Sequence, residues 1–253
     1  MGKLLNIFRP FSSVRWIGWH ARRRDAMREL REFAALSKSQ RPELSVHKND
    51  RCLCLSDRTS TTPFDGHYLY HTSWATRQLR KIMPKEHVDI SSSLYFVGLA
   101  SAIAPIKHLD CRPPDFKIEN VTCAAGDLMS LPFADNTVES LSCMHVIEHI
   151  GLSRYGDPLD PCGDIKAAAE LQRVLAPGGQ FLFVTPVGRP RVCFNAHRIY
   201  SFEMVQKLFS ALRLEEWALL KDDSSQGLVP NPRAETINAQ TYGCGCFRFC
   251  KTG

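Results

Sequence analysis

The sequence predicts an α/β protein: a doubly wound, mainly parallel seven-stranded sheet with helices on both faces, preceded by an N-terminal helical arm. Three observations carry this. From about residue 64 onward, apolar runs of strand length alternate with longer segments of helical period, the order that builds a parallel sheet covered on both sides. No internal repeat interrupts the alternation. The first apolar run ends in a turn of small residues, Ser91-Ser92-Ser93, which opens a helical pattern where such sheets bind ligands.

In chain order, residues 1–60 read as a basic arm and helix, and residues 64–253 as the α/β domain. Residues 1–51 carry 12 Lys/Arg against 5 Asp/Glu, whereas residues 52–253 carry 20 against 21. The neutral body argues against a nucleic-acid partner. The arm holds Leu4, Leu5, Ile7, Phe8 and Phe11, broken by Pro10, then Trp16, Trp19 and Arg22-Arg23-Arg24. Its apolar core is too short for a signal peptide, and Asn6 disfavours myristoylation. Peripheral contact of residues 1–24 with an anionic membrane is one reading of it. An arm packed on the domain or left mobile is the other, and the one favoured. His20–Leu36 has the spacing and Arg/Glu pairs of a solvated amphipathic helix.

The next helix is predicted over Ser73–Ile82, ending at Pro84. Strands are predicted at His87–Ile90, Ile106–Cys111, Asn120–Ala125, Val138–His145, Gln180–Pro186, Arg213–Lys221 and Cys244–Lys251. Helices are predicted at Leu94–Ala104, Asp164–Leu175 and Ser201–Leu212. No apolar run reaches about 18 residues, so no spanning helix is expected. Ten irregularly spaced cysteines suggest reduced thiols and a cytoplasmic location, at most peripheral to the inner face of the membrane. Cys244, Cys246 and Cys250 offer three thiols to a metal, but they alternate like a strand, which is preferred. Oligomeric state is not legible.

Four features fall at predicted strand ends. Asp89 precedes the small-residue turn, in which Ser91 and Ser93 let a ligand approach the backbone. Asp110 follows about 20 residues later, where a carboxylate accepts from ribose hydroxyls. Asp127, with Leu128, ends the third strand and suits an exocyclic amine. Leu131–Thr137 makes a turn before the fourth strand.

The stretch from Gly126-Asp127 through Leu131-Pro132-Phe133, with Val146-Ile147-Glu148-His149 and Arg173–Gly179, resembles the class I S-adenosylmethionine (SAM)-dependent methyltransferases. A narrower likeness is to a methyltransferase-like family of unknown function. It rests on Asp65-Gly-His67-Tyr68, Trp74–Arg77, His87–Ile90, Leu109–Pro113, Gly151–Pro158 and Phe194–Tyr200, and covers roughly residues 64–251. The resemblance implies a Rossmann-like methyltransferase fold and SAM as cofactor, with Asp89, Ser91, Ser93, Asp110, Asp127 and Leu128 as its site. One departure is plain: Ser91 and Ser93 stand where the superfamily usually has Gly, which narrows the methionine passage and strains any φ > 0.

The implied reaction moves a methyl group to an oxygen or nitrogen acceptor, a small molecule or, by the family likeness, a sugar or polysaccharide precursor. His145, His149 and His197 are the candidate bases. The loop Gly151–Gly163, with Arg154, Tyr155 and Asp157, reads as a lid, since the spacing of its aspartates does not fit a calcium loop. Asn195, Arg198 and Tyr200 would face the same mouth and grip the acceptor. The alternative is a methyltransferase-shaped binding or regulatory protein without turnover. A third reading, weaker still, takes His145-Val-Ile-Glu148-His149 as the H-x-x-E-H of a zinc hydrolase. His145 ends a β-like run, so the five residues straddle a strand end instead of one helix, and no metal is expected.

Overall fold

The computed structural model describes residues 13–253, with side chains from residue 18 onward. Expectations for the first 12 residues, and so for half of the membrane-contact arm, lie outside the described residues. Contacts divide the chain between Phe64 and Asp65 into two units. In the first, helix α1 (Ser13–Gln40) is longer than predicted at both ends. Arg58 reaches back to Glu29 at 3.0 Å, an exposed pair of small energetic weight. Among the described residues no helix is long and apolar enough to cross a membrane.

The second unit is built on a sheet with all seven predicted strands and one more. Its parallel half comprises β1 (His87–Ile90), β2 (Ile106–Asp110), β3 (Val121–Ala125), β4 (Val138–Met144) and β5 (Leu175–Val187). A separate two-stranded ribbon, β6 (Arg191–Cys193) with β7 (His197–Ile199), follows. The sheet is completed by β8 (Leu212–Leu220), the edge strand β9 (Leu228–Pro230) and β10 (Gly243–Lys251), in the order β3-β2-β1-β4-β5-β10-β8-β9. β10 runs antiparallel between β5 and β8. The ribbon and β9 are three residues long, too short to show period-two alternation in the sequence. The cysteines of β10 are strand residues, and all ten cysteines are free thiols.

Helix α2 (Gly66–Ile82) starts seven residues earlier than predicted because Asp65 caps it, accepting from the Tyr68 N–H. Its first two turns carry His and Tyr, which hide the apolar period. Helix α3 (Leu94–Ala100) stops short of the predicted end, before Pro105. Helix α4 (Gly163–Val174) is preceded by Cys162, so Asp164 is inside the first turn instead of being the cap. Helix α5 (Phe202–Leu208) is capped by Ser201, and a short α6 (Ala234–Asn238) was not predicted.

Each sheet face has its own core. α2 and α3 bury Trp74, Leu79, Phe96 and Val97 against Ile106, Met144 and Val184. α4 and α5 bury Leu171, Val205 and Phe209 against Leu141, Phe181 and Phe183 on the other. Phe183 sits at the centre of the second core, fully buried, 4.7 Å from the Phe209 ring and 6.2 Å from Phe247. Phe183→Ala is expected to cost about 3–5 kcal/mol and to lower the melting temperature by roughly 10 °C. Thermal unfolding followed by circular dichroism checks it; a change of a degree or two would mean that this core is not close-packed.

Candidate functional site

The C-terminal ends of β1 to β4 form one rim, and the sheet register decides which acidic residues reach it. Asp110 is the last residue of β2 and pairs with Ala125, the last of β3, so Asp110 and the following Asp127 are neighbours on the rim. Asp89 pairs with His108, two residues back from the β2 end, and therefore lies inside the sheet.

Its environment confirms that position. The Asp89 carboxylate is fully buried and accepts from His108 Nδ1 at 2.8 Å, from the Ser92 N–H at 3.1 Å and from the Ser142 hydroxyl. His87 continues the seam, Nε2 donating to Ser142 Oγ at 2.9 Å while Nδ1 accepts from Ser140 at 2.7 Å. Burial pulls the His87 pKa down to about 4, so this imidazole is neutral. For Asp89 burial acts upward, but the His108, Ser142 and Ser92 contacts prevail and its pKa is lowered; His108 is raised in return, against its own burial. Asp89 thus shapes the turn and orients His108 and has no exposed atom for a cofactor, a correction to its predicted role.

Ser91 adopts φ +54°, the left-handed backbone that its replacement of Gly makes strained. Its hydroxyl donates to Leu109 O at 3.3 Å, and the Ser92 hydroxyl accepts from Met144 N–H at 3.1 Å. Both therefore turn back into the sheet. Ser93 stands before α3 without a side-chain cap bond. A cleft of about 300 Å³ remains in front of the turn, lined by Ser92, Leu94, His108, Asp110, Arg112 and Pro114. Ser91→Gly is expected to stabilise the fold by about 0.5–1 kcal/mol, the left-handed penalty being partly offset by the freedom of Gly in the unfolded chain. Urea unfolding checks this, and a loss of stability would contradict the strain.

Within the cleft, Asp110 uses Oδ1 to accept from the Arg112 N–H at 2.7 Å. The His108 ring presents a different feature: its Nε2 is buried and has no protein partner. Asp127 is exposed, Oδ1 accepting from Met129 N–H at 2.8 Å, whereas the Leu128 side chain is buried in the core and leaves only backbone to a ligand.

Beyond β4 the three predicted histidines do gather. His145, the residue after β4, has φ +58°, and Ile147–His149 form a single 3-10 turn. The H-x-x-E-H residues thus do not share a helix, which removes the geometric basis of the zinc-hydrolase reading. Glu148, fully buried, lies between the two histidines, 3.0 Å from His145 Nδ1 and 3.9 Å from His149 Nε2. Its pKa is lowered: burial opposes the charge, but His145 and then His149 outweigh it. Burial would lower His145, but Cys244 first and Glu148 after it outweigh that, and its pKa is raised. His149 and His197 are both lowered, chiefly by burial, and stay neutral near pH 7. His149 Nδ1 is 2.6 Å from Ala196 O and must donate to it, so Nε2 carries the free lone pair. The His197 ring is 6.5 Å from that of His149.

The predicted acceptor residues divide. Tyr155 is exposed and flanked by two guanidinium groups, Arg112 at 4.5 Å and Arg154 at 5.1 Å, and its ring meets the edge of His149 at 5.8 Å. It therefore connects the cleft rim to the histidines. Arg154 donates to Ala196 O at 2.8 Å, and Asn195 is exposed in the β6–β7 turn. Arg198, Tyr200 and Asp157, by contrast, are built into the loop. Arg198 is buried and donates to Ile150 O at 2.6 Å and to Asp160 O and Pro161 O at 3.3 Å. Tyr200, also buried, donates to Asp164 at 3.0 Å, and Asp157 accepts from Gly151 N–H at 2.6 Å. None of the three side chains is free to grip an acceptor. The sequence reading also missed His108 and Arg112 as site residues: His108 meets Asp89 only through the β1–β2 register, and Arg112 lies just after the end of β2.

Sheet order, helix layers and rim together are those of the class I SAM-dependent methyltransferase fold. The comparisons agree. The YcgJ protein from Bacillus subtilis aligns with a TM-score of 0.51 at 17% identity, covering 73% of this chain and 99% of that one. The N-methyltransferase NodS from Bradyrhizobium japonicum WM9, solved with S-adenosyl-L-homocysteine, aligns with a TM-score of 0.53 at 16% identity, covering 74% and 87%. Residues 133–222 match a family model described as a Caenorhabditis protein of unknown function, DUF268. No curated protein matches the sequence.

Proposed function

We propose that the chain is a SAM-dependent methyltransferase acting on an oxygen or nitrogen acceptor. The observation that carries this is the meeting, in the lining of one cleft of that fold, of Asp110 with His108, whose buried Nε2 has no partner among the described residues. A buried donor without a partner costs stability unless a ligand satisfies it. The residues fit the cofactor: Asp110 would hold the ribose hydroxyls, Asp127 and the backbone of Leu128 the adenine side, and His108 Nε2 a polar atom deeper in the cleft. When bound, SAM supplies a methyl group already activated as a sulfonium.

The chain's own task is then orientation and proton removal, of which positioning contributes the larger share. His149 is the base of choice, since its Nε2 lone pair is unprotonated and near pH 7 its ring is neutral. His145 is less suited, because Glu148 holds it protonated. Tyr155, stacked between Arg112 and Arg154, would exclude water as part of a lid, and Asn195, exposed on the ribbon, is available to the acceptor. A small molecule or saccharide suits this polar mouth. The strained Ser91 favours a second reading, a methyltransferase-shaped binding protein without turnover. Mass spectrometry of the purified, denatured protein tests the proposal: co-purified SAM or S-adenosylhomocysteine supports it. Protein free of both, and unable to take up added SAM, contradicts it.

A further inference from the structure

Behind the acceptor mouth, His67, His145 and Cys244 bring one ligand atom each to within 4.8 Å of one another. They come from three elements, the first turn of α2, the end of β4 and β10, and so converge only in the folded chain. The contact between His145 Nε2 and Cys244 Sγ is 3.5 Å. That equals the edge of about 3.5 Å expected for nitrogen at ~2.05 Å and sulfur at ~2.3 Å on a tetrahedral zinc ion.

The nitrogen that each histidine turns away from this centre is anchored as a metal ligand's second nitrogen usually is. His145 Nδ1 meets the buried Glu148 carboxylate at 3.0 Å, and His67 Nε2 meets Tyr242 O at 3.1 Å. A further histidine lies beside this three-residue cluster. His71 lies one turn after His67 on the same face of α2 and is fully buried, its ring 5.0 Å from that of His145. Its Nδ1 donates to His67 O at 2.6 Å, so Nε2 is a bare lone pair, and that atom is buried with no partner among the described residues. An unpartnered lone pair next to the His145 ring, beside three clustered ligand groups, is a donor without its acceptor, and a small shift of this side chain would make it the fourth.

We infer that His67, His71, His145 and Cys244 bind a zinc ion in a closed, structural site that ties α2 to β4 and β10. Binding replaces two protons by the metal, that of the Cys244 thiol and that on Nε2 of His145, and releases both to solvent, while His145 Nδ1–H stays on Glu148, with no change of oxidation state. Four protein ligands leave no open position, so the site is distinct from methyl transfer and stands independently of SAM binding.

The test uses the full chain with reduced thiols, stripped of metal by a chelator and titrated with Co(II), in a Cys52→Ser/Cys54→Ser background that removes the exposed thiol pair. One equivalent is expected to bind, giving tetrahedral visible bands and a thiolate-to-cobalt charge-transfer band, both displaced by Zn(II). Cys244→Ser should abolish the charge-transfer band, whereas Cys246→Ser should retain it. His67→Ala should weaken Zn(II) affinity at least about tenfold, and Glu148→Gln about 10–100-fold. If Cys244→Ser does not fold, the His67→Ala affinity and the wild-type stoichiometry decide the matter. No cobalt uptake at micromolar metal, a six-coordinate spectrum, or a charge-transfer band that survives Cys244→Ser would overturn the site.

Discussion

Replacing Asp110 by alanine is expected to weaken S-adenosylhomocysteine binding about 10- to 150-fold while leaving the fold intact. The side chain is partly exposed at the end of β2, and among the described residues its one bond is that accepted from the Arg112 N–H. Its remaining acceptor capacity therefore faces the cleft. Hydrogen bonds from ribose hydroxyls to a carboxylate contribute about 1.5–3 kcal/mol, and each 1.4 kcal/mol is a factor of ten in affinity. Asp110→Asn separates the two roles, because it keeps an oxygen for the Arg112 turn but loses the charge. Both variants should show wild-type circular dichroism. Unchanged affinity in Asp110→Ala would remove Asp110 from the site, and the cleft assignment with it.

The second large effect concerns Asp89, and it is on stability. Removing a carboxylate that is 0% exposed leaves His108 with its charge unpaired and deprives Ser92 N–H and Ser142 of their acceptor. Breaking a buried pair of this kind costs about 3–5 kcal/mol. The pH dependence follows from the directions of the two shifts. Asp89 has a folded pKa below its unfolded value, so its contribution is present above about pH 4 and is lost as pH falls through the folded pKa. His108 has a folded pKa above its unfolded value, so its contribution is complete below about pH 6.5 and is lost as pH rises through the folded pKa. The pair therefore stabilises most between those limits. In urea unfolding, the difference between wild type and Asp89→Ala should be larger at pH 5.5 than at pH 8.5, where an equal difference would show that His108 is neutral in the fold.

The elements that could be read from the sequence are those whose signal is local. Val138–Met144 is an apolar run of strand length, and Phe181–Val187 another, so the parallel sheet and its rim were legible. Asp110 was legible for the same reason: it follows an apolar strand and precedes a turn. Asp89 looked equivalent, and what separates the two is register. Whether a strand's acid reaches the rim or stops two residues short depends on its neighbour, which no single strand encodes. Arg198 and Tyr200 misled in a related way. Polar residues beside a predicted mouth read as ligand contacts, but their partners Ile150 and Asp160, in a loop, and Asp164, at the start of α4, lie some forty residues earlier. The histidine cluster was half visible. His145-x-x-Glu148-His149 was noticed and the His67/His71 spacing on one helix face was not, because the start of α2 was set at Ser73. Cys244 joins them only through the antiparallel placement of β10 beside β5.

The proposed function turns on whether the cleft between the β1 turn and the end of β2 takes an adenosyl group. Isothermal titration of the purified full-length chain with S-adenosylhomocysteine measures that directly. The account predicts saturable binding of one molecule per chain, weakened in Asp110→Ala. An absence of heat at millimolar ligand, with folded protein in the cell, would contradict it.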